Sequence, residues 1–226
     1  MNELVGQLSD LTGLASEFIW HALYIFMRIG SAMSFTPAFG EQSVPARFRL
    51  IIAGSFSLIV LPAVPQADLP ATLSISGLLS EVVVGLILGL SLRLFVLALQ
   101  TAGAIAAQAT SLSQMFGDAG PEPQPALTNL LVIAALALAV SAGLHVKLAT
   151  FFVLTYDLFP MGAIPDPADV AAWGVEEISR GFALAFSIAA PFTIASLLYN
   201  ITRGVINKAM RALMVSFIGA SALTLG

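Results

Sequence analysis

Residues 75–113 form a 39-residue stretch that contains no proline and only two charged side chains, Glu81 and Arg93. In apolar surroundings such a stretch can pair its own backbone groups only as a helix. At ~1.5 Å per residue, this helix would be longer than the ~30 Å hydrocarbon layer of a bilayer. The stretch therefore predicts one long helix in a membrane-like environment.

The composition extends this conclusion to the whole chain. Of the 226 residues, 58% are hydrophobic and only 10% are charged, and the mean hydropathy is +0.94. A soluble domain carries about 25% charged residues. Trp and Tyr form the aromatic belts that membrane proteins place at the two membrane–water interfaces. This chain has only two Trp and three Tyr, against fifteen Phe, so such belts would be weak. A membrane-derived protein is predicted, with much of its apolar surface facing other protein.

The distribution of proline, glycine and polar residues predicts a single all-α unit. Ser74 or Ser76 is expected to cap the long helix, Gly143 to separate two helices, and Pro191 to break a third pair. The apolar run continues to the last residue, a pattern typical of a chain that is cut short. The predicted helices are about 12–35, 48–61, 75–113, 126–141, 145–159, 170–190 and 192–212.

Several classes of chemistry are excluded or disfavoured by composition. The chain has no Cys, and its two His, His21 and His145, cannot form a zinc site alone. A net charge of −4 argues against nucleic acid as a partner. Catalytic triads, paired carboxylates and phosphate-binding loops are missing at usable spacing. We therefore predict a protein that is not an enzyme and needs no cofactor.

Three charges fall inside apolar helices. Glu81 and Arg93 are twelve residues apart, hence ~120° apart around the helix, and cannot pair with each other. Each needs a partner on another helix, on another chain or in water. On this view they face a pore or a subunit interface, and snorkelling from a helix end is the alternative. For Arg28 the alternative is a local charged face, because His21 and Glu17 lie on the same side of the first helix.

Small residues indicate close helix packing. Gly85 and Gly89 are four residues apart, and residues 101–110 (TAGAIAAQAT) are rich in alanine. Such spacing lets helix backbones approach closely in apolar surroundings.

A proline-spaced acidic segment interrupts the apolar sequence. The 24 residues Leu94–Gly117 and the 24 residues Pro123–Val146 carry no charge, and Asp118 and Glu122 lie between them. Alternating prolines at 121, 123 and 125 exclude a helix. Non-helical backbone at membrane depth survives only inside protein or beside an aqueous cavity. The alternative is a surface loop outside the membrane.

Several motifs together resemble the FliR family of flagellar export proteins. The segment RIGSAMSFTPAFGEQSVPARFRL (28–50) is the most specific, and it is followed by QMFGDAG (114–120), GLHVKLATFFVLTYDLFPMG (143–162) and GVINKAMRALMVSFIG (204–219). The chain departs from the family pattern at Leu144, Arg211 and Ser221. The residues that carry the first match are Arg28, Pro37, Phe39, Gly40, Val44, Pro45, Ala46, Arg47 and Arg49.

The resemblance implies a subunit of the bacterial flagellar type III export gate. Such a subunit has a FliP-like part (about 1–125) followed by a FliQ-like part (about 126–226). Its helices form tilted hairpins. It joins FliP and FliQ in a helical ring around a pore, in the inner membrane at the flagellar basal body. Further partners implied are FlhB, FlhA, the proximal rod proteins, unfolded export substrates and membrane lipids.

The resemblance also implies roles for individual residues. The segment after the long helix would be the pore plug, with an apolar seal, stiffening prolines and a hydrated acidic tip. The plug residues are Met115, Phe116, Gly117, Asp118, Pro121, Glu122 and Pro123. Those implied at subunit interfaces or in structural roles are Arg28, Phe39, Gly40, Pro45, Arg47, Arg49, Glu81, Arg93 and His145.

Three other interpretations remain open at this point. A small-molecule transporter would place paired charges on broken helices near the bilayer midplane. A structural membrane scaffold would need no pore. The injectisome counterpart of the family, SctT, shares the implied fold, although the loop FGEQSVPARFR favours the flagellar branch.

Overall fold

The computed structural model describes residues 2–41, 44–66, 69–70, 74–111 and 126–223. Within these ranges the chain forms α-helices and one short 3-10 turn, Leu61–Ala63, and no strand. The predicted all-α fold is confirmed. The helices are α1 Asn2–Met33, α2 Ala46–Val60, α3 Ile75–Ser111, α4 Ala126–Ser141, α5 Leu144–Leu158 and α6 Pro167–Leu223.

The chain divides into two compact units. The first comprises residues 1–98 and 132–181, and the second comprises residues 99–131 and 182–226. In the second unit α3 approaches α4 closely, because a Cβ on Gly103 would lie 2.6 Å from the Cα of Thr128. The predicted division into FliP-like and FliQ-like parts remains a prediction.

The first unit contains a hydrophobic core to which α1, α2 and α5 contribute. Phe56 of α2 packs edge-on against both Phe39 and Phe152, with ring centroids 6.0 and 6.4 Å away. Edge-to-face pairs of this kind add to the energy of area burial. The buried members of the core are Tyr24, Ile25, Ile29, Ala32, Met33, Ala53, Phe56, Val60, Val64, Leu148, Phe152, Tyr156 and Met161.

Helix α3 packs against α1 through the predicted glycine pair. A Cβ on Gly85 would overlap the Arg28 carbonyl and the Ser31 hydroxyl, and one on Gly89 would lie 2.5 Å from the Ala32 carbonyl oxygen. Both glycines are buried. Because the two glycines are four residues apart, they lie on one side of α3 and let its backbone touch that of α1. Small residues have the same effect between membrane helices.

The helix ends follow local sequence signals. Ser74 caps α3, because its hydroxyl accepts the amide of Gly77 at 3.1 Å. Helix α2 ends at Val60, directly before the turn Leu61–Ala63 that contains Pro62. Gly143 separates α4 from α5 with a φ of +80°, and the two helices bend by 75°. The predicted cap of α3, the predicted end of the second helix near residue 61 and the predicted separation of α4 from α5 are confirmed.

Two predicted boundaries are wrong. Helix α1 begins at Asn2, about ten residues before the predicted start, and α6 continues through Pro191 instead of breaking there. A proline removes one hydrogen bond, that to the carbonyl four residues earlier. Ending the helix between two apolar segments would leave several backbone groups unpaired, which costs more.

The described residues include three helices long and apolar enough to cross a membrane. They are Ala46–Ala63, Ile75–Gln108 and Pro167–Met210, and the bent pair α4–α5 makes a fourth if it is counted as one span. Of the third stretch, Pro167–Met210, only 17% is buried within the chain. Most of that surface therefore needs lipid or other protein as its cover.

One residue in the turn after α1 has an unfavourable backbone conformation. Ala38 has a φ of +69°, a left-handed conformation that costs an L-residue ~1–2 kcal/mol. We expect Ala38→Gly to raise the free energy of unfolding by about 0.5–1 kcal/mol, because the removal of this strain outweighs the extra chain entropy that glycine loses on folding. Thermal unfolding in detergent micelles measures the change.

The same substitution in a regular helix provides the control for this prediction. Ala171→Gly, at an exposed position of α6, is expected to lower stability by up to about 1 kcal/mol. If both variants lose stability, the strain assigned to Ala38 is wrong.

Candidate functional site

A fully buried ion pair joins α1 to α3 in the first unit. Arg28 Nε donates to Glu81 Oε2 at 2.6 Å, and Arg28 Nη2 donates to Glu81 Oε1 at 3.0 Å. Both side chains are 0% exposed. Two parallel bonds to one carboxylate are the strongest geometry available to arginine.

The remaining donors of Arg28 bind the C-terminal end of α5. Nη1 lies 3.3 Å from the Thr155 carbonyl oxygen and 3.5 Å from its hydroxyl, and Nη2 lies 2.9 Å from the Phe159 carbonyl oxygen. The guanidinium carbon stands 3.8 Å from the centre of the Tyr156 ring, a cation–π contact. All three nitrogens of the guanidinium are therefore hydrogen-bonded.

Glu81 has a second partner in the loop after α5. Its Oε1 accepts the amide of Gly162 at 2.7 Å. Gly162 has a φ of +74°, and a Cβ there would lie 2.7 Å from Cγ of Pro70. Only glycine fits this position without strain. The ion pair thus joins α1, α3, α5 and the following loop through one network.

This arrangement decides between the alternatives for the buried charges. Glu81 does not snorkel, because its side chain is fully buried. The carboxylate that pairs with Arg28 is that of Glu81, whereas Glu17 is exposed. The local charged face was therefore the wrong alternative. The expectation that Glu81 and Arg93 would each find a partner off their own helix is confirmed. For Glu81 the interpretation of a pore-facing or interface charge is wrong, because its side chain is fully buried among partners within the chain. We call Arg28, Glu81, Thr155, Tyr156, Phe159 and Gly162 the buried ion-pair network.

Arg93 pairs with a residue that sequence analysis did not single out. Its Nη1 donates to Glu41 Oε1 at 2.7 Å, and the two side chains are 26% and 28% exposed. Glu41 follows directly after Gly40 in the turn between α1 and α2. The pair ties that turn to the middle of α3. The sequence signal was an acidic residue within the family motif, but nothing in its spacing indicated Arg93.

The turn between α1 and α2 is compact. The Gly40 amide donates to the Thr36 carbonyl at 2.7 Å, and a Cβ on Gly40 would lie 2.6 Å from the Ser34 carbonyl oxygen. Phe39 reaches into the core against Phe56. Both residues therefore have structural roles.

The remaining residues proposed for interfaces lie on the surface of the chain. Pro45, Arg47 and His145 are exposed. Arg49 is half-buried, and its Nε donates to the Val44 carbonyl at 3.1 Å. The structure does not bring these four residues together with the buried ion-pair network. The seven predicted plug residues, from Met115 to Pro123, all lie outside the described residues.

The exposed face of α2 is apolar. Phe48, Ile51 and Leu58 are each 60% exposed or more. The 15-residue helix carries only two charged residues, Arg47 and Arg49. Contiguous apolar exposure of this kind marks a surface that contacts lipid or protein. Among the described residues, no group of three His, Asp or Glu side chains is placed to hold a metal ion.

The comparisons with known proteins identify the family. The model of the bacterial export proteins, family 1, matches residues 19–226. The flagellar biosynthetic protein FliR of Caulobacter vibrioides is 31% identical over 217 residues, which cover 93% of this chain and 86% of the relative. The chain belongs to the FliR family. FliR of Escherichia coli K12 is 26% identical over 206 residues, covering 88% of this chain and 79% of that protein.

Further similarity supports the same assignment. FliR of Pectobacterium carotovorum is 24% identical over 219 residues, covering 93% of this chain and 80% of the relative. As a FliR-family protein with several apolar helices, the chain is a membrane component of the flagellar export apparatus. The buried ion-pair network and the Arg93–Glu41 pair are charged contacts that join separate segments of the first unit of this FliR-family chain.

Proposed function

We propose that the chain is a non-enzymatic subunit of the flagellar type III export gate, at the basal body in the bacterial inner membrane. It forms with FliP and FliQ the pore through which unfolded flagellar proteins pass. The observation that carries the proposal is membership of the FliR family over nearly the whole chain. FlhB, FlhA and the proximal rod proteins are the neighbours that the family relationship implies.

The distribution of charge favours a gate subunit over a small-molecule transporter. A transporter needs charged groups free to bind its substrate near the membrane midplane. All three nitrogens of Arg28 and both oxygens of Glu81 are used within the chain. Breaking these contacts would leave a charge unpaired in a low dielectric, so this pair is a poor substrate site.

The exposed apolar helices support a role in an assembly. The faces of α2 and α6 are largely uncovered within the chain, and the sequence has few Trp and Tyr to place them at a lipid interface. Unlike subunits would cover these faces. Arg47, Arg49 and His145 lie at the surface, where they would contact such subunits.

The proposal includes a pore plug formed by residues 115–123, and the sequence of this segment supports it. Met115 and Phe116 supply a deformable apolar seal, the prolines limit collapse of the loop, and Asp118 and Glu122 keep its tip hydrated. Opening would displace the loop, with an unfolded substrate favouring the open state.

Native mass spectrometry of the detergent-extracted complex tests the proposal. A gate subunit is expected to appear with at least two different small hydrophobic proteins in unequal copy number. A chain that appears alone, or as a small homo-oligomer, would contradict the proposal and favour the transporter.

The Arg93–Glu41 pair provides a test within the chain. Arg93→Ala frees the turn after α1 from α3, and that turn leads into the exposed surface of α2. We expect weaker co-purification with FliP and FliQ, measured as the amount of each recovered per amount of this chain. Lys147→Ala, which removes an exposed base from α5, is the control and should recover the parental amounts. Unchanged recovery for Arg93→Ala would show that the Arg93–Glu41 pair is not needed for assembly.

A further inference from the structure

A cavity in the first unit has apolar walls. It lies between α3, α5 and the beginning of α6 and encloses about 750 Å³, within the range of ~300–1,000 Å³ typical of binding pockets. Leu158 is 75% exposed there and Trp173 is 38% exposed. The main apolar wall residues are Ile87, Leu88, Leu92, Phe151, Leu158 and Trp173.

The rim of this cavity is acidic. Asp166, Asp169, Glu177 and Arg180 line it. Arg180 is already paired with Glu176 at 2.5 Å and lies 3.5 Å from Glu177. Within the described part of the chain, no basic side chain pairs with Asp166 or Asp169. We call the cavity and its rim the acid-rimmed groove.

The charge around the groove is a property of the whole chain. Residues 157–180 contain five acidic residues and one basic residue, whereas the rest of the sequence contains eight of each. The entire net charge of −4 is therefore concentrated in this segment. Such a concentration of one sign gives a potential that selects partners of the opposite sign.

One carboxylate of the rim, that of Asp166, is held in position before anything binds. The Asp166 side chain accepts the amide of Ala168 at 2.9 Å, and its carbonyl accepts the amide of Val170 at 3.0 Å. Asp166 thus caps α6, and Pro167 occupies the first helical position, where proline is favoured. A carboxylate fixed in this way loses little conformational entropy on binding.

We propose that the acid-rimmed groove binds an apolar helix of an unlike subunit that carries Lys or Arg on its groove-facing side. The apolar walls match the helix and the rim matches its basic residue. A second copy of this chain that presented the same segment, residues 157–180, would bring another acidic rim and be repelled. An anionic lipid headgroup would be repelled in the same way. The inference rests on the proposed function, because it requires unlike subunits.

Labelling of a single cysteine tests occupancy of the groove. The chain has no natural Cys, so Leu158→Cys gives one reactive group in the groove. A membrane-permeant maleimide is expected to label this cysteine at least tenfold more slowly in the co-expressed assembly than in the purified lone chain. If the assembly forms and the cysteine reacts at the lone-chain rate, the groove inference is wrong while the proposed function stands.

A peptide titration tests the charge preference independently of any assembly. The lone Leu158→Cys chain, with a fluorophore on the introduced cysteine, is titrated in neutral detergent with two 20-residue Leu/Ala peptides. One peptide carries two Lys near one end and the other carries two Glu. The Lys peptide is expected to bind about tenfold more tightly, a difference of about 1.4 kcal/mol.

Matched charge variants complete this titration. Asp166→Asn combined with Asp169→Asn should abolish the preference, whereas Glu17→Gln, which removes an exposed carboxylate from α1, should keep it. Equal binding of the two peptides to the parent would overturn the inference. So would disulfide cross-linking between two copies of the Leu158→Cys chain, or protection of the introduced cysteine by phosphatidylglycerol vesicles.

Discussion

Replacing Arg28 by methionine is expected to lower the free energy of unfolding by about 3–5 kcal/mol. The substitution leaves Glu81 fully buried without its cation, and it removes the guanidinium donors from the carbonyls of Thr155 and Phe159. A loss of this size is a large share of the ~5–15 kcal/mol that stabilises an ordinary domain. Chemical unfolding in detergent micelles, followed by circular dichroism, measures it.

Two further variants separate the buried charge from a general effect of substitution. Arg180→Ala removes an exposed pair with Glu176 and is expected to cost ~1 kcal/mol or less. The double variant Arg28→Met/Glu81→Met should recover part of the loss, because no charge is then left unpaired. Recovery should be incomplete, since the Gly162 amide also loses its acceptor. If Arg28→Met cost no more than Arg180→Ala, the buried ion-pair network would not hold the first unit together.

Deleting residues 117–123 is expected to raise ion leakage through the assembled gate. The deletion removes Gly117, Asp118, Pro121, Glu122 and Pro123, and it shortens the segment that would obstruct the pore. Conductance of the purified assembly in planar bilayers measures the leak directly. The expected direction follows from the proposed plug, because a shorter loop cannot fill the constriction.

A length-matched replacement shows whether length or stiffness closes the gate. Exchanging Pro121 and Pro123 for Gly keeps the length and both acidic residues but removes two of the prolines that limit collapse. Its leak should lie between those of the parent and the deletion. A deletion variant as tight as the parent would exclude the plug role and leave the surface-loop alternative for this segment.

Local physics was readable from the sequence because its causes are local. Ser74 caps a helix through its own hydroxyl, Gly143 permits a positive φ, and Gly85 and Gly89 lack a side chain where α1 approaches. At Pro191 the prediction was wrong because it relied on a local cause alone. A local rule predicted a break, but the cost of unpaired backbone groups in apolar surroundings favours a continuous helix.

Long-range pairing was not readable from the sequence. The sequence required that Glu81 and Arg93 find partners elsewhere, but it did not name them. Their partners, Arg28 and Glu41, are 53 and 52 residues away along the chain. Helical periodicity relates residues within one turn or a few turns, so it contains no information about which distant helix faces which.

The sequence by itself determined the all-α, apolar character of this chain, its family motifs and the need of its buried charges for partners. Composition and periodicity act residue by residue, which is why they suffice for these conclusions. Only the tertiary structure decided that Arg28 and Glu81 form one saturated network and that acidic residues of a single segment line an apolar groove. Those outcomes depend on how α1, α3, α5 and the beginning of α6 are brought together, which is a property of packing between segments distant in the sequence.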